Sequence, residues 1–301
     1  MPNVWSHILF GDRVRKQAGL SAAGDLRSFH LGCQGPDFLL YHNFWPWKRD
    51  KSVSRLGGVI HQKHCGPFLM DLILAAAEHP GMRDYVSGFL THHILDRRTH
   101  PYIIYKSGDG KYKHQKLEVI IDTLLAQRLE GIQTWKSPVV PRIDIGTSLP
   151  RQWVEVLQGA AQKHFPKETE PVLPHHWNEG YQDMKRALSL FHDPTGVKWL
   201  FTLGAISPFR YRPIRDGIDY LNESGEEWVH PHFPKEKHRE SFLTLWESAL
   251  REGADLLNRT IAFWKGETAE DTLCDLLGNI SYDTGKDCSS KKERPVFAPV
   301  V

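Results

Sequence analysis

The stretch Tyr85-Val86-Ser87-Gly88-Phe89-Leu90-Thr91-His92-His93-Ile94-Leu95-Asp96-Arg97-Arg98-Thr99-His100 decides how this chain is read. Its apolar residues recur at three- and four-residue spacing, the period of a helix with one face turned inward. At about 100° per residue, His92, Asp96 and His100 fall on one stripe with Met82, Tyr85 and Phe89, and His93 lies at its edge. That stripe is the face the helix buries. A bare carboxylate is costly to bury unless it is paired or bound to a metal. The segment 112–131 repeats the arrangement, with His114, Glu118 and Asp122 projecting beside Ile121, Leu125 and Leu129. Two successive helices therefore carry imidazoles and carboxylates into what their own pattern marks as core.

The same period marks helices near 64–79, 82–100, 112–131, 149–163, 177–192, 239–265 and 268–278. Proline and glycine punctuate the gaps, and Pro101 is expected to end the second of these helices. No run alternates long enough to suggest a sheet, so the fold class is all-α. Residues 137–150 and 204–236, rich in proline, glycine and aromatics, read as ordered loops. The expected organisation is a helical metal-binding core over 1–136, a helical and loop-rich remainder over 137–280 packed on the same domain, and a flexible tail over 281–301.

Composition narrows the function classes. Lys and Arg number 38 against 36 Asp and Glu, a net charge of +2, which gives no support to a nucleic-acid-binding surface or a polybasic anchor. No apolar run is long enough to span a membrane. The N-terminal MPNVWSHILFGDRVRK has polar residues where a secretory core would lie. Cys33, Cys65, Cys274 and Cys288 form no C-x-x-C pair, and together these features point to a reducing cytoplasm.

Seventeen histidines are out of line with the rest, and ten of them precede residue 119. Histidine is the commonest metal ligand. A His and an acid four residues apart share a helical face; chance gives about two such pairs in this composition, and five occur. His164/Glu168 and His232/Glu236 enclose Pro166 and Pro234, and His175/Glu179 straddles a helix start. His92/Asp96 and His114/Glu118 stand out by their placement. One reading of them is a buried hydrogen-bond network without metal. The repetition on two helices, with His7, Asp37, His61 and His64 upstream, favours a metal cluster. Asp37 lies in Leu31-Gly32-Cys33-Gln34-Gly35-Pro36-Asp37, where glycines allow close backbone approach. The aromatic run Tyr41–Trp47 could stack on a base, cage a choline-like cation, touch lipid, or simply pack. Arg97 and Arg98 could pair with a phosphate or form a solvated face.

The order His7, Gly35-Pro36-Asp37, His61, His92-x3-Asp96, His100, His114-x3-Glu118 resembles the zinc-dependent phospholipase C family, whose all-helical bundle is shared with the single-strand-specific nucleases. The resemblance covers about residues 3–130, and Gly88–Asp96 followed by Thr99–Ile103 looks like its intracellular bacterial branch. It implies two zinc ions with room for a third. One ion would be held by Asp37, His61, His92 and Asp96, and a second by His100, His114 and Glu118. A third would sit between His7 and a bridging Asp96. His61 suits the pattern better than His64, from its offset to Gly66. The implied activity is phosphoester hydrolysis of the phospholipase C type on a small phosphoester or a phospholipid head group, with no stable nucleic-acid partner. Two zinc ions about 3.5–4 Å apart can hold a hydroxide for in-line attack, and Asp37 is the candidate catalytic carboxylate. A nuclease or nucleotidase on the same scaffold, or a helical protein with a structural metal, are the alternatives; a structural site is normally closed by four protein ligands.

Overall fold

Helix α5, Arg83–Ser107, is the axis around which the chain is built. Asp84 in its first turn complements the helix dipole, and Gly108 at φ 71° ends it. Twenty of its 25 residues are buried, so neighbours must enclose it on every side. The computed structural model describes residues 4–20, 24–215 and 217–301. Among these, α1 (Val4–Gln17), α2 (Leu26–Gly32), α3 (Ser52–Ile60) and α4 (Cys65–Glu78) precede α5, with a short 3-10 turn at Gly35–Tyr41. It is followed by α6 (Lys113–Glu130), α7 (Val140–Ile143), α8 (Arg151–His164), α9 (Pro166–Thr169), α10 (Pro174–Phe191), α11 (Val197–Phe201), α12 (Phe242–Trp264) and α13 (Glu270–Leu277). Helices α1, α2, α4, α6 and α12 all pack on α5. The described elements are helical apart from one two-stranded hairpin, which puts the fold in the all-α class. No helix among the described residues is long and apolar enough to cross a membrane.

All seven helices read from the apolar period are present as α4, α5, α6, α8, α10, α12 and α13. Three differences have physical causes. The helix through Pro101 does not stop there but runs on to Ser107. Proline removes the donor for the carbonyl of Arg97, and the C-terminal segment packs onto that oxygen. Second, β1 (Trp228–His230) pairs antiparallel with β2 (Phe233–His238), a hairpin that begins within the 204–236 stretch read as loop and ends two residues beyond it. Three residues are too few for alternation to register, and Trp228 and His230 are the buried pair. Third, residues 281–301 are pinned rather than loose. Ser281, Tyr282 and Thr284 are buried, and the amides of Ala298 and Val300 bond the carbonyls of Tyr105 and Lys106 at the last turn of α5. Those carbonyls have no helical donor of their own, and the tail supplies it.

Candidate metal centre

Five segments converge at the middle of α5. His7 comes from α1, Asp37 from the 3-10 turn, and His61 from the residue that closes α3. Helix α5 supplies His92, Asp96 and His100, and α6 supplies His114 and Glu118. Glycine brings the 3-10 turn in: a Cβ on Gly35, at φ +50°, would stand 2.2 Å from His92 Cδ2. Helix α1 is held by Asp122. Its carboxylate accepts from the amides of Trp5 at 3.1 Å and Ser6 at 2.7 Å, and from the Tyr211 hydroxyl at 2.8 Å. It thereby satisfies first-turn donors that a helix leaves open. Burial pushes the Asp122 carboxyl up to about 7 against the pull of these donors. Asp122 is thus an anchor for α1, and α1 sets His7 against Asp96.

The distances are short throughout. His61 Nε2 lies 3.0 Å from Asp37 Oδ1, His92 Nε2 3.1 Å from Asp96 Oδ2, and His7 Nε2 3.2 Å from Asp96 Oδ1. His114 Nε2 and His100 Nε2 lie 2.8 and 3.3 Å from Glu118 Oε1. His7/His92/Asp96, Asp37/His61/His92 and His100/His114/Glu118 each bring three ligand atoms within 4.8 Å of one another. Ligands about 2.0–2.1 Å from one zinc ion stand roughly 3.3 Å apart across a tetrahedral angle.

Proton placement tests whether a cation fits. His61 Nδ1 is 2.7 Å from the Gly57 carbonyl, and His92 Nδ1 is 3.0 Å from the Cys33 carbonyl. A carbonyl only accepts, so both Nδ1 atoms carry the proton. In the neutral rings, both Nε2 atoms then turn lone pairs towards carboxylate oxygens. Two acceptors about 3 Å apart repel unless a metal ion or an added proton lies between them. Consistent with this, Asp37 Oδ1, His92 Nε2, Asp96 Oδ2 and both ring nitrogens of His100 are buried without a hydrogen-bond partner. A cavity of about 20 Å³, lined mainly by Leu95, Ile103, Ile121 and Phe242, reaches His7, Asp96 and Glu118 at its polar side. The residues fit a metal cluster.

Without a cation the centre takes up protons. Burial alone would lower His100, but Asp96 and Glu118 carry it up to about 10. His61 is likewise raised, by Asp37 against its burial. Burial favours the neutral forms of Asp96 and Glu118, yet the surrounding imidazoles hold both well below the usual carboxylate range. His92 is lowered by burial despite Asp96. The cluster is nearly sealed; its open edge is His114, whose side chain is 26% exposed. A cleft of about 660 Å³ runs along α1 past Arg13, Glu130 and Glu247 and includes none of the cluster.

Comparison with family models, with curated proteins and with solved structures found no match for this chain. Its functional reading therefore rests on the residues themselves.

The remaining candidate residues lie elsewhere in the fold. His64, at φ 49° before α4, faces His164 and Phe165 outside the cluster. His164 pairs with Asp71 instead of Glu168. Arg97 is buried and bonds Glu252 and the Leu277 carbonyl, and Arg98 also bonds Glu252, so both serve the α5–α12 contact. In the aromatic run Tyr41 is buried and Phe44 packs on Phe191, while Trp45 stacks on an exposed Trp47. A fourth group, His175, His176 and Glu179, also gathers within 4.8 Å, at the surface on α10. Its protons are placed differently. His176 Nδ1 accepts from the Leu173 amide at 3.0 Å, so in the neutral ring Nε2 carries the hydrogen and offers no lone pair. Glu179 Oε2 is 3.1 Å from His42 Nε2.

The sequence reading did not find Tyr282 or Asp283. The Tyr282 ring lies 4.9 Å from His61 and 4.5 Å from His93, and its hydroxyl is buried without a partner. Asp283 Oδ1 lies 3.9 Å from His100 Nδ1. Both sit in a polar, turn-rich stretch that carries no apolar period and so no local signal of burial.

Proposed function

We propose that this chain is a zinc-dependent phosphoester hydrolase of the phospholipase C-like type, on the multi-helix bundle that family shares with the single-strand-specific nucleases. The observation that carries the reading is the set of buried imidazole nitrogens and carboxylates that face each other without hydrogen bonds around His92 and Asp96. They occur in the chain order the family pattern requires. Asp37, His61, His92 and Asp96 would hold one ion, His100, His114 and Glu118 a second, and His7 with Asp96 a third. When bound, zinc supplies a Lewis acid and brings the pKa of water towards about 7, so that hydroxide is available at neutral pH.

The chain's own residues do the rest. The Gly57 and Cys33 carbonyls fix His61 and His92 in the tautomer a metal ligand needs. Asp37 turns Oδ1 to His61, which leaves Oδ2 to orient the attacking water and accept its proton. Burial of the cluster excludes bulk water and strengthens every charge interaction within it. The partly exposed His114 marks the side from which a phosphoester enters. The group His100, His114 and Glu118 provides three protein ligands rather than four, which favours a catalytic over a structural site. The near-balance of charge favours a small phosphoester or a phospholipid head group over nucleic acid.

The test is turnover of bis(p-nitrophenyl) phosphate and p-nitrophenyl phosphorylcholine by zinc-loaded and chelator-treated protein. Zinc-dependent release of p-nitrophenol is expected. Zinc-loaded protein that turns over neither diester would overturn the reading.

A further inference from the structure

The C-terminal loop is built against the metal centre rather than beside it. Ile280 bridges Asp287, and the Ser281 and Cys288 amides bond the Lys286 and Asn279 carbonyls, which closes a compact turn. The Tyr282 amide and the Ser281 hydroxyl both bond the carbonyl of His61, at 3.0 and 3.1 Å. His93 Nε2 lies 2.8 Å from the Ile280 carbonyl, and His230 Nε2 lies 2.8 Å from the Thr284 carbonyl. Gly285 rests on the Arg97 carbonyl that Pro101 leaves without a donor; a Cβ there would stand 2.1 Å from that oxygen. Contacts from His61, His93, Arg97 and His230 thus fix where residue 283 stands.

The need it meets is at His100. His61 and His92 each place Nδ1 on a backbone carbonyl. His100 Nδ1, equally buried, has no such partner. It faces two carboxylates, Asp96 Oδ2 at 3.7 Å and Asp283 Oδ1 at 3.9 Å. Asp96 is already engaged, with Oδ1 towards His7 and Oδ2 towards His92. Asp283 is the carboxylate left over, 3.9 Å from His100 Nδ1 with its side chain 27% exposed, so a small rotation about its own torsions brings it into bonding reach.

We propose that Asp283 is a positioning residue of the second metal position: it accepts the Nδ1–H of His100 and so presents Nε2 to the ion shared with His114 and Glu118. The proposal rests on the metal reading above. A carboxylate behind a metal-bound imidazole fixes its tautomer and raises its basicity, and losing one typically weakens metal affinity about 10–100-fold.

The test is calorimetric titration of zinc into metal-free full-length protein, with cobalt(II) visible absorption as a second readout. Wild type, Asp283→Ala, Asp283→Asn and Asp283→Glu would be compared, with His114→Ala marking which ion belongs to the second position. Asp283→Ala is expected to weaken that ion alone by about 10–100-fold and to shift its cobalt spectrum. Asp283→Asn should weaken it less, and Asp283→Glu should recover most of the affinity. A purely structural loop would weaken all ions together or none. Unchanged affinities in Asp283→Ala would overturn the proposal and leave the metal reading standing. A wild-type protein that binds no zinc would overturn both.

Discussion

The cluster around α5 and the surface group on α10 both gather imidazoles and a carboxylate within 4.8 Å. By residue type alone they are alike. They differ in where the protons sit. In the core, the Gly57 and Cys33 carbonyls accept from Nδ1 and leave Nε2 lone pairs facing carboxylates. At the surface, the Leu173 amide donates to Nδ1 of His176, and Glu179 is turned to His42. The core arrangement is unstable without a cation or an extra proton, whereas at the surface His176 serves as part of a helix cap. Proximity of ligand-type residues is therefore a weak sign of a metal site, and the tautomer set by the groups behind the ligands is a stronger one.

The sharpest way to break this contrast is at Asp96, which faces His7 and His92 at once. Asp96→Ala is expected to release more than one ion and reduce diester turnover to that of chelated protein, read by metal content and rate together. Asp37→Asn separates holding metal from doing chemistry. At saturating zinc it should keep its ions and lose turnover by roughly 10²–10⁴-fold; full turnover with metal retained would remove Asp37 from the reaction.

A third expectation concerns protons. In the metal-free protein His100 sits at about 10, so it is protonated at neutral pH. Zinc can bind Nε2 only after that proton leaves, so uptake should release it. Affinity should rise with pH, about tenfold per unit for each proton displaced, up to roughly pH 10. Calorimetry in buffers of different ionisation enthalpy measures the release; uptake without it would mean that His100 is not a ligand. The smallest effect belongs to the surface group. His175→Ala, at an exposed position, should leave zinc content and turnover unchanged and shift stability by less than about 0.5 kcal/mol.

The parts of the molecule legible in the sequence are those with local periodicity. Helices α8, α10 and α12 keep a polar face, and their apolar stripe is easy to read. The first half of α1 does not: every residue from Val4 to Gly11 is buried, including Ser6 and His7, so the pattern there has no polar side. Its position is set by Asp122 and Tyr211, far away in the chain. The cluster on α5 and α6 was legible because two helices repeat His-x3-acid on faces that should be apolar. His61 is preferred to His64 in the sequence only through its offset to Gly66 in the family pattern. Their local residues are alike, both lying between α3 and α4, and the approach of Asp37 is what distinguishes them in the fold. Asp283 lies farther out of reach, since a polar turn gives no sign that His61, His93 and Arg97 have fixed it over the centre.

The most direct test of the central claim is elemental analysis of full-length protein purified without a metal-affinity tag. Two or more zinc ions per chain are expected, with zinc lost in His92→Ala and His114→Ala while His175→Ala keeps its full content. Metal-free protein that stays folded and takes up no zinc when it is added back would contradict the account, and the histidines of α5 and α6 would then be a buried polar network.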